Sequence, residues 1–237
     1  MNLLVLAGGF GTRLKTVVAD VPKALASVGG VPFLQLQLER WVDQGLREFT
    51  FLLHHQAHQI IAFLKKNQAR VLKDCQVTWL IEPIPMDTGG AVAYAVRELD
   101  LNGEFLMTNA DTWLGGGVQE LMQATSPAMA VLKLADVSRY GQVHFDQDAH
   151  VTAFAEKNPR SEPGWINAGL CHLNSELFLD WDGKPFSLER KLFAELAQNR
   201  SLRAIPLKTD FIDIGVPDDY HRFCRWIEAG RQVPLCN

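Results

Sequence analysis

Three glycines and two cations near the amino terminus carry the first chemical signal. Leu3–Ala7 is apolar throughout and runs into Gly8, Gly9 and Gly11; Arg13 follows, and Lys23 arrives behind Pro22. Glycines directly after a buried strand let the backbone fold tightly and point N–H groups at an anion. No acidic residue stands between Gly8 and Ala19. The guanidinium offers a bidentate fork and the ammonium a compact point charge, so the two suit different oxygens of one polyphosphate. Two aspartates, Asp111 and Asp213, each end an apolar strand-like run ("FLMTNAD", "FIDIG"). Taken singly, each reads as a turn cap.

The loop fits neither of the common nucleotide fingerprints. G-x-G-x-x-G fails at its last position, because Gly9-Phe10-Gly11-Thr12-Arg13 is followed by Leu14. With Pro22 interrupting the segment as well, a NAD-dependent oxidoreductase is disfavoured. G-x-x-x-x-G-K-[ST] occurs nowhere in the chain, which excludes a P-loop. A metal-dependent glycosyltransferase of α/β plan usually carries D-x-D, whereas this chain has Asn109-Ala110-Asp111.

"LAGGFGTRL" followed by "VPKAL" resembles the L-A-G-G-x-G-T-R-L…P-K motif of sugar-1-phosphate nucleotidyltransferases. The similarity continues in order through "EPIPMDTGGAV", "TNADTWL", "YGQVHFDQDAHVTAFAEK", "INAGLCHL" and "FIDIGVPDDY". The resemblance implies transfer of a nucleotidyl group from an NTP to a sugar 1-phosphate, releasing pyrophosphate. A sugar phosphate is already an oxyanion at neutral pH, so the reaction needs alignment and charge neutralisation rather than a general base.

By the same resemblance, the Gly8–Thr12 backbone (Gly8, Gly9, Gly11, Thr12) cradles the triphosphate after Leu6. Arg13 binds the leaving pyrophosphate, and Lys23 stabilises the α-phosphoryl oxygens. Asp111 and Asp213 would hold Mg2+, with phosphate oxygens and waters completing the octahedron. Lys157 and Asn167, aided by Glu156 and by the Gly141 backbone, would hold the sugar phosphate. Thr88, Gly89 and Gly90 open a helix expected to approach base and ribose, and Asp87 departs from the glycine common before that threonine. Glu82 ends the preceding strand. A carboxylate facing the base could accept from guanine N1–H and the 2-amino group together, while uracil and thymine set one N–H between two carbonyls; this favours GTP. "PFSLERKLFAEL" with "EPIPMDTGGAV" looks most like the short guanylyltransferases acting on D-glycero-α-D-manno-heptose 1-phosphate, and a heptose product would serve surface polysaccharide synthesis (lipopolysaccharide or capsule). A muramate or hexose 1-phosphate uridylyltransferase is the nearest rival. A non-catalytic regulatory subunit is the rival of another class, opposed by the presence of all four of Arg13, Lys23, Asp111 and Asp213.

The elements that must position these residues alternate. Strand signals at Leu3–Ala7, Glu48–Leu53, Gln76–Ile81 and Glu104–Asp111 are interleaved with helix signals at Pro32–Gln44, His58–Gln68 and Gly89–Leu99. That order implies a Rossmann-like, mixed, mostly parallel sheet flanked by helices. After it come short strands at Ala128–Ala135, Gly141–Asp146, Val151–Lys157 and Trp165–Leu173, a tight turn at Asp146–His150, and helices at Ser187–Gln198 and from Pro217 to Gly230. The expected architecture is one nucleotidyltransferase domain over residues 1–237. Residues to about 125 form its nucleotide-binding half. Residues from about 126 form a smaller antiparallel sugar-phosphate half laid over the first. Ligands of open α/β sheets sit beyond the strands' carboxyl ends, so Gly8–Arg13, Glu82–Gly90, Asn109–Asp111 and Asp213 should converge.

Bulk properties agree with a cytoplasmic enzyme. The chain has 237 residues and a net charge of −4, which gives no field for nucleic acid or an anionic membrane. No signal peptide or membrane-length apolar run is present. The four cysteines (Cys75, Cys171, Cys224, Cys236) are scattered without a CxxC pair, so neither zinc nor a disulfide framework is indicated. His54, His55 and His58 contain one i, i+4 pair but no neighbouring cysteine or acid, and read as loop or helix-cap residues. Short relatives are commonly homodimers.

Overall fold

The structure is a computed structural model that describes residues 1–14, 16–18, 20–157, 160–232 and 235. Cys236 lies outside the described residues. Along the chain run β1 (Asn2–Leu6), β2 (Ser27–Val28), β3 (Val31–Pro32), α1 (Phe33–Asp43), β4 (Glu48–Leu53), α2 (Ala57–Asn67), β5 (Gln76–Ile81), α3 (Asp87–Glu98), β6 (Glu104–Asn109) and β7 (Thr112–Leu114). Then follow α4 (Val118–Gln123), β8 (Ala128–Leu134), β9 (Gln142–Phe145), β10 (Val151–Ala155), β11 (Gly164–Asn174), α5 (Ala194–Gln198), β12 (Arg203–Leu207), β13 (Phe211–Asp213) and α6 (Pro217–Glu228). They form two compact units that interleave in sequence. The first holds Met1–Pro85, Thr108–Gly115 and the described part of Asp210–Cys236; the second holds Met86–Met107 and Gly116–Thr209.

In the first unit β1 pairs with β4 and β4 with β5, both in parallel, from Asn2↔Glu48 to Leu6↔Leu52 and from Glu48↔Gln76 to Leu53↔Ile81. Leu3, Leu4, Val5, Phe51 and Leu53 are fully buried, the pattern of strands covered on both faces. The Ala110 N–H donates to the Leu6 carbonyl at 3.0 Å, so the chain leaving β6 emerges beside the glycine loop. α1 buries Phe33, Leu34, Leu38 and Trp41 at helical spacing and stops before Gly45, whose φ of +94° ends the turn. A second core gathers Leu14, Phe33, Trp113, Ile212, Ile214, Phe223 and Trp226. Each large side chain there contributes about 1.5–3 kcal/mol by burial. These same residues flank the charged candidates: Leu14 follows Arg13, Ile212 and Ile214 bracket Asp213, and Trp113 stands two beyond Asp111.

The second unit is a mixed sheet. β8 pairs antiparallel with β11 and parallel with β12, and β9 pairs antiparallel with both β11 and β10. The parallel β12 has no counterpart in the sequence reading, because "RAIPL" carries an arginine and a proline in five residues. Pro206, opposite Val131, is tolerated on a strand that needs no ladder bond from that nitrogen. The turn at Asp146–His150 forms as expected. The Asp146 carboxylate accepts from the N–H groups of Asp148 (3.0 Å) and His150 (2.9 Å), and Ala149 takes φ +63°. The expected Ser187–Gln198 helix is present but divided, a π-helical stretch at Leu188–Phe193 preceding α5, with the Ser187 hydroxyl accepting from the Arg190 N–H. Cys75, Cys171 and Cys224 are free thiols.

Candidate functional site

Three of the charged candidates, Lys23, Asp111 and Asp213, come together in the first unit. Pro22 leads into a short 3-10 turn, Lys23–Leu25, and the Lys23 ammonium pairs with the Asp111 carboxylate. Asp111 and Asp213, 102 positions apart, are joined by the short antiparallel β7–β13 ladder, in which Asp213 stands opposite Thr112. The Ile214 N–H donates to the Asp111 carbonyl at 3.0 Å, closing the same corner. Gly215 is required there: its N–H donates to Asp213 Oδ1 at 2.7 Å, and a Cβ on Gly215 would fall 2.7 Å from that same oxygen. Burial first, and then the neighbouring Asp111 charge, push the Asp213 carboxyl up, while Lys23, the Gly215 N–H and Arg13 oppose the shift. Two crowded carboxylates with only partial compensation form a site short of positive charge. Hard oxygen donors in that state fit a divalent cation such as Mg2+.

The glycine loop separates into positions with different reasons. A Cβ on Gly8 would meet Glu82 Oε1 at 2.9 Å and His54 Cβ at 3.1 Å, and the Gly8 carbonyl accepts the His55 N–H at 3.3 Å. Gly8 is therefore a packing requirement. Gly9 is exposed with nothing within 4 Å of its Cβ position, so no packing demand explains it. Gly11 takes φ +60° and its carbonyl accepts the Leu14 N–H, starting the turn Thr12–Leu14. Arg13 and Thr12 are exposed on that turn. Leu6 closes β1 beside Ala7, Lys23 and Asp111 around a small cavity. Glu82 is buried at 7% exposure, its N–H donating to the Leu53 carbonyl at 2.7 Å and its carboxylate lying against Gly8.

The histidines behave as loop residues. His54 Nδ1 lies 3.1 Å from the Glu82 carbonyl, both His54 and His55 contact the Phe10 ring, and His58 is exposed on α2. Among the described residues, the one trio of potential metal donors is Asp146, Asp148 and His150 in the second unit, and the hydrogen bonds of the tight turn account for it.

The remaining candidates lie in the second unit. Asp87 adopts φ +58°, the conformation a glycine would take freely, with its carboxylate accepting the Thr88 N–H at 2.7 Å. Thr88 donates its hydroxyl to Glu189 at 3.2 Å and accepts the Leu188 N–H at 2.9 Å. The N–H groups of Gly89 and Gly90 both donate to the Phe186 carbonyl, and a Cβ on Gly89 would strike the Phe186 ring at 2.2 Å. Close packing against Pro185–Phe186 thus supplies a reason for these glycines that sequence reading did not contain. Gly141, Glu156 and Lys157 are exposed. Asn167 sits on β11 just before a register shift, its carbonyl oxygen accepting the Gly169 N–H at 2.9 Å, with Gly169 at φ +81°. That bond fixes the side chain while leaving its NH2 group to donate.

A parallel α/β unit that gathers a glycine loop, a lysine–aspartate pair and a second aspartate at its strand ends defines an enzyme of phosphoryl-centred chemistry. The chain belongs to the nucleotidyl transferase family, whose profile matches residues 2–229. Its class of activity is that of a sugar-1-phosphate nucleotidyltransferase. It is 31% identical over 229 residues to the D-glycero-alpha-D-manno-heptose 1-phosphate guanylyltransferase of Campylobacter jejuni, covering 94% of this chain and 98% of that one. It is 30% identical to the mannose-1-phosphate guanylyltransferase catalytic subunit beta of Drosophila melanogaster, over 97% of this chain but 63% of that one. HddC from Yersinia pseudotuberculosis, solved in complex with GMP-PN, superposes with a TM-score of 0.81 at 31% identity, over 95% of this chain and 99% of that one. The mostly parallel, helix-flanked fold expected from the sequence is therefore the nucleotide-diphospho-sugar transferase fold. Among the described residues, no helix is long and apolar enough to cross a membrane.

Proposed function

We propose that this enzyme transfers a guanylyl group from GTP to a heptose 1-phosphate, giving GDP-heptose and pyrophosphate, with Mg2+ held by Asp111 and Asp213. The observation that carries the chemistry is the cluster of Lys23, Asp111 and Asp213 at the glycine loop. In this reading a sugar-phosphate oxygen attacks the α-phosphorus in line, the bond to the bridging oxygen breaks, and pyrophosphate leaves with the electron pair. Bound Mg2+ would neutralise charge on the phosphate oxygens. Lys23 holds the α-phosphoryl oxygens, and the Gly8, Gly9, Gly11 and Thr12 backbone cradles the chain of phosphates that follows Leu6. Arg13, exposed at the turn, faces the leaving group.

The guanine preference rests on the buried Glu82 carboxylate and on the GMP-PN bound by the 31%-identical HddC. Thr88, Gly89 and Gly90 serve the nucleotide by shaping the opening of α3, since their donors are already engaged. Lys157 and the Asn167 NH2 group, with Glu156 and Gly141, hold the sugar phosphate. Residues to about 125, joined by the Asp213 segment, then work on the nucleotide and the rest of the remainder on the sugar, within one functional domain. The full-length match to the Campylobacter enzyme favours heptose. Mannose 1-phosphate is the second reading, favoured by the 30% identity to the Drosophila subunit. A cytoplasmic, homodimeric enzyme of bacterial surface-polysaccharide synthesis completes the proposal. The test is a matrix of four NTPs against several sugar 1-phosphates with and without Mg2+, scoring pyrophosphate release. GTP with D-glycero-α-D-manno-heptose 1-phosphate should show the highest kcat/KM. A UTP preference would overturn the base reading, a mannose preference the sugar reading, and full turnover without a divalent cation the metal reading.

A further inference from the structure

Lys23 stands on the wall between two cavities of the first unit. The smaller, about 40 Å3, also touches Leu6, Ala7, Ala110 and Asp111, where the proposed function puts the reacting phosphorus. The larger, about 200 Å3, is lined by Gly9, Phe10 and Gly11 of the glycine loop together with His55 and Gln56. Gly9, Pro22 and Lys23 belong to both. Leu14 and Val18 add apolar side chains to its lining.

The lining of this cavity includes donors that the fold, among the described residues, does not use. The His55 backbone is fixed by its N–H bond to the Gly8 carbonyl, and its ring by contact with Phe10 at 5.2 Å between centroids. Among the described residues, neither ring nitrogen of His55 nor the side-chain amide of Gln56 is committed to a hydrogen bond. An oriented, half-buried imidazole with both nitrogens uncommitted among the described residues, lining a cavity shared with the glycine loop and Lys23, is suited to an anion.

We propose that the larger cavity receives the pyrophosphate as it leaves, and that His55, assisted by Gln56, donates to its terminal phosphoryl group. When the bond from the α-phosphorus to the bridging oxygen breaks, the electron pair and its charge pass to pyrophosphate. Lys23, on the shared wall, remains in contact with the departing oxygen while His55 holds the distal end. The role of His55 is then separate from that of Arg13, which is exposed on the outer turn.

Beyond that geometry the proposal rests on the reaction class and not on the base or sugar, so pyrophosphate itself is the probe. Calorimetric titration of the full chain with magnesium pyrophosphate should give a dissociation constant about tenfold higher for His55→Ala than for the wild type, or about 1.4 kcal/mol. In the reverse reaction, KM for pyrophosphate should rise about as much, with KM for the nucleotide sugar within twofold of the wild-type value. His55→Phe keeps a ring against Phe10 without a donor and should match His55→Ala; His55→Gln should recover part of the loss. Unchanged pyrophosphate affinity in His55→Phe, or an equal rise in both KM values, would overturn the proposal by showing that the residue only packs the loop.

Discussion

The charged cluster of the first unit and the residues proposed to hold the sugar in the second are built on opposite principles. Around Lys23 the candidate groups hold one another: an ion pair to Asp111, a second aspartate drawn in by the β7–β13 ladder, and a glutamate buried against Gly8. In the second unit Gly141, Glu156 and Lys157 are exposed, and only Asn167 is oriented, through the Gly169 N–H. The difference follows from the charges involved. A centre that must stabilise a transition state gains from groups fixed before the substrate arrives, and crowding two carboxylates is tolerable only where the fold enforces it.

The sharpest way to break this contrast is to remove the centre's cation. Lys23→Ala should lower kcat by about a thousandfold or more with a native circular-dichroism spectrum, and near wild-type turnover would refute the assignment. Asp213→Asn should follow, with an activity loss of about a hundredfold and an increased Mg2+ requirement in a titration of initial rates. Asp213→Asn also relieves like-charge crowding, so the metal-free protein should melt no lower than the wild type.

Glycines sharpen the comparison at the next level. Gly89→Ala would drive a methyl group into the Phe186 ring and should cost about 1–3 kcal/mol of stability, read in urea unfolding. Gly9→Ala meets nothing within 4 Å and should leave stability unchanged while raising KM for the NTP. A stability loss at Gly9 would mean that the loop is held more tightly than its exposure indicates. Lys157→Ala, at an exposed position, should raise KM for the sugar phosphate about tenfold, or about 1.4 kcal/mol, with no change in melting temperature.

The smallest effect belongs to Asp146, whose carboxyl is held below the ordinary carboxylate range chiefly by the His150 N–H and then by the Asp148 N–H and the Arg200 charge. A lowered folded-state value means the ionised form stabilises the turn. That contribution is present above the ordinary range and disappears as pH falls through the lowered value. Asp146→Asn should therefore be modestly less stable than the wild type at neutral pH, and the two should converge in strongly acidic solution, as measured by thermal melting against pH.

Much of the fold was legible because its signals are local. Glu48–Leu53 and Gln76–Ile81 are apolar runs bounded by polar residues, and both strands form with those bounds. The helices expected at Pro32–Gln44 and His58–Gln68 form as Phe33–Asp43 and Ala57–Asn67, each within a residue at either end. β12 was hidden by Arg203 and Pro206, and the π-helical stretch at Leu188–Phe193 looks like any amphipathic helix in one dimension. Of the site, the residue types were readable and their partners were not. Glu82 could be placed at a strand end, but nothing in the sequence says that its carboxylate fills the space a Gly8 side chain would need.

Residue type and local order determined the glycine nest, the cations, the alternation of strands and helices, and through these the class of reaction. Those properties depend on neighbours within a few positions. Only the tertiary structure decided that Lys23, Asp111 and Asp213 meet, that Phe186 occupies the space left by Gly89, and that His55 and the glycine loop line one cavity. Each of those is a contact between distant segments, fixed by strand register and by the burial of flanking apolar residues such as Leu14, Ile212 and Ile214, which no local pattern records.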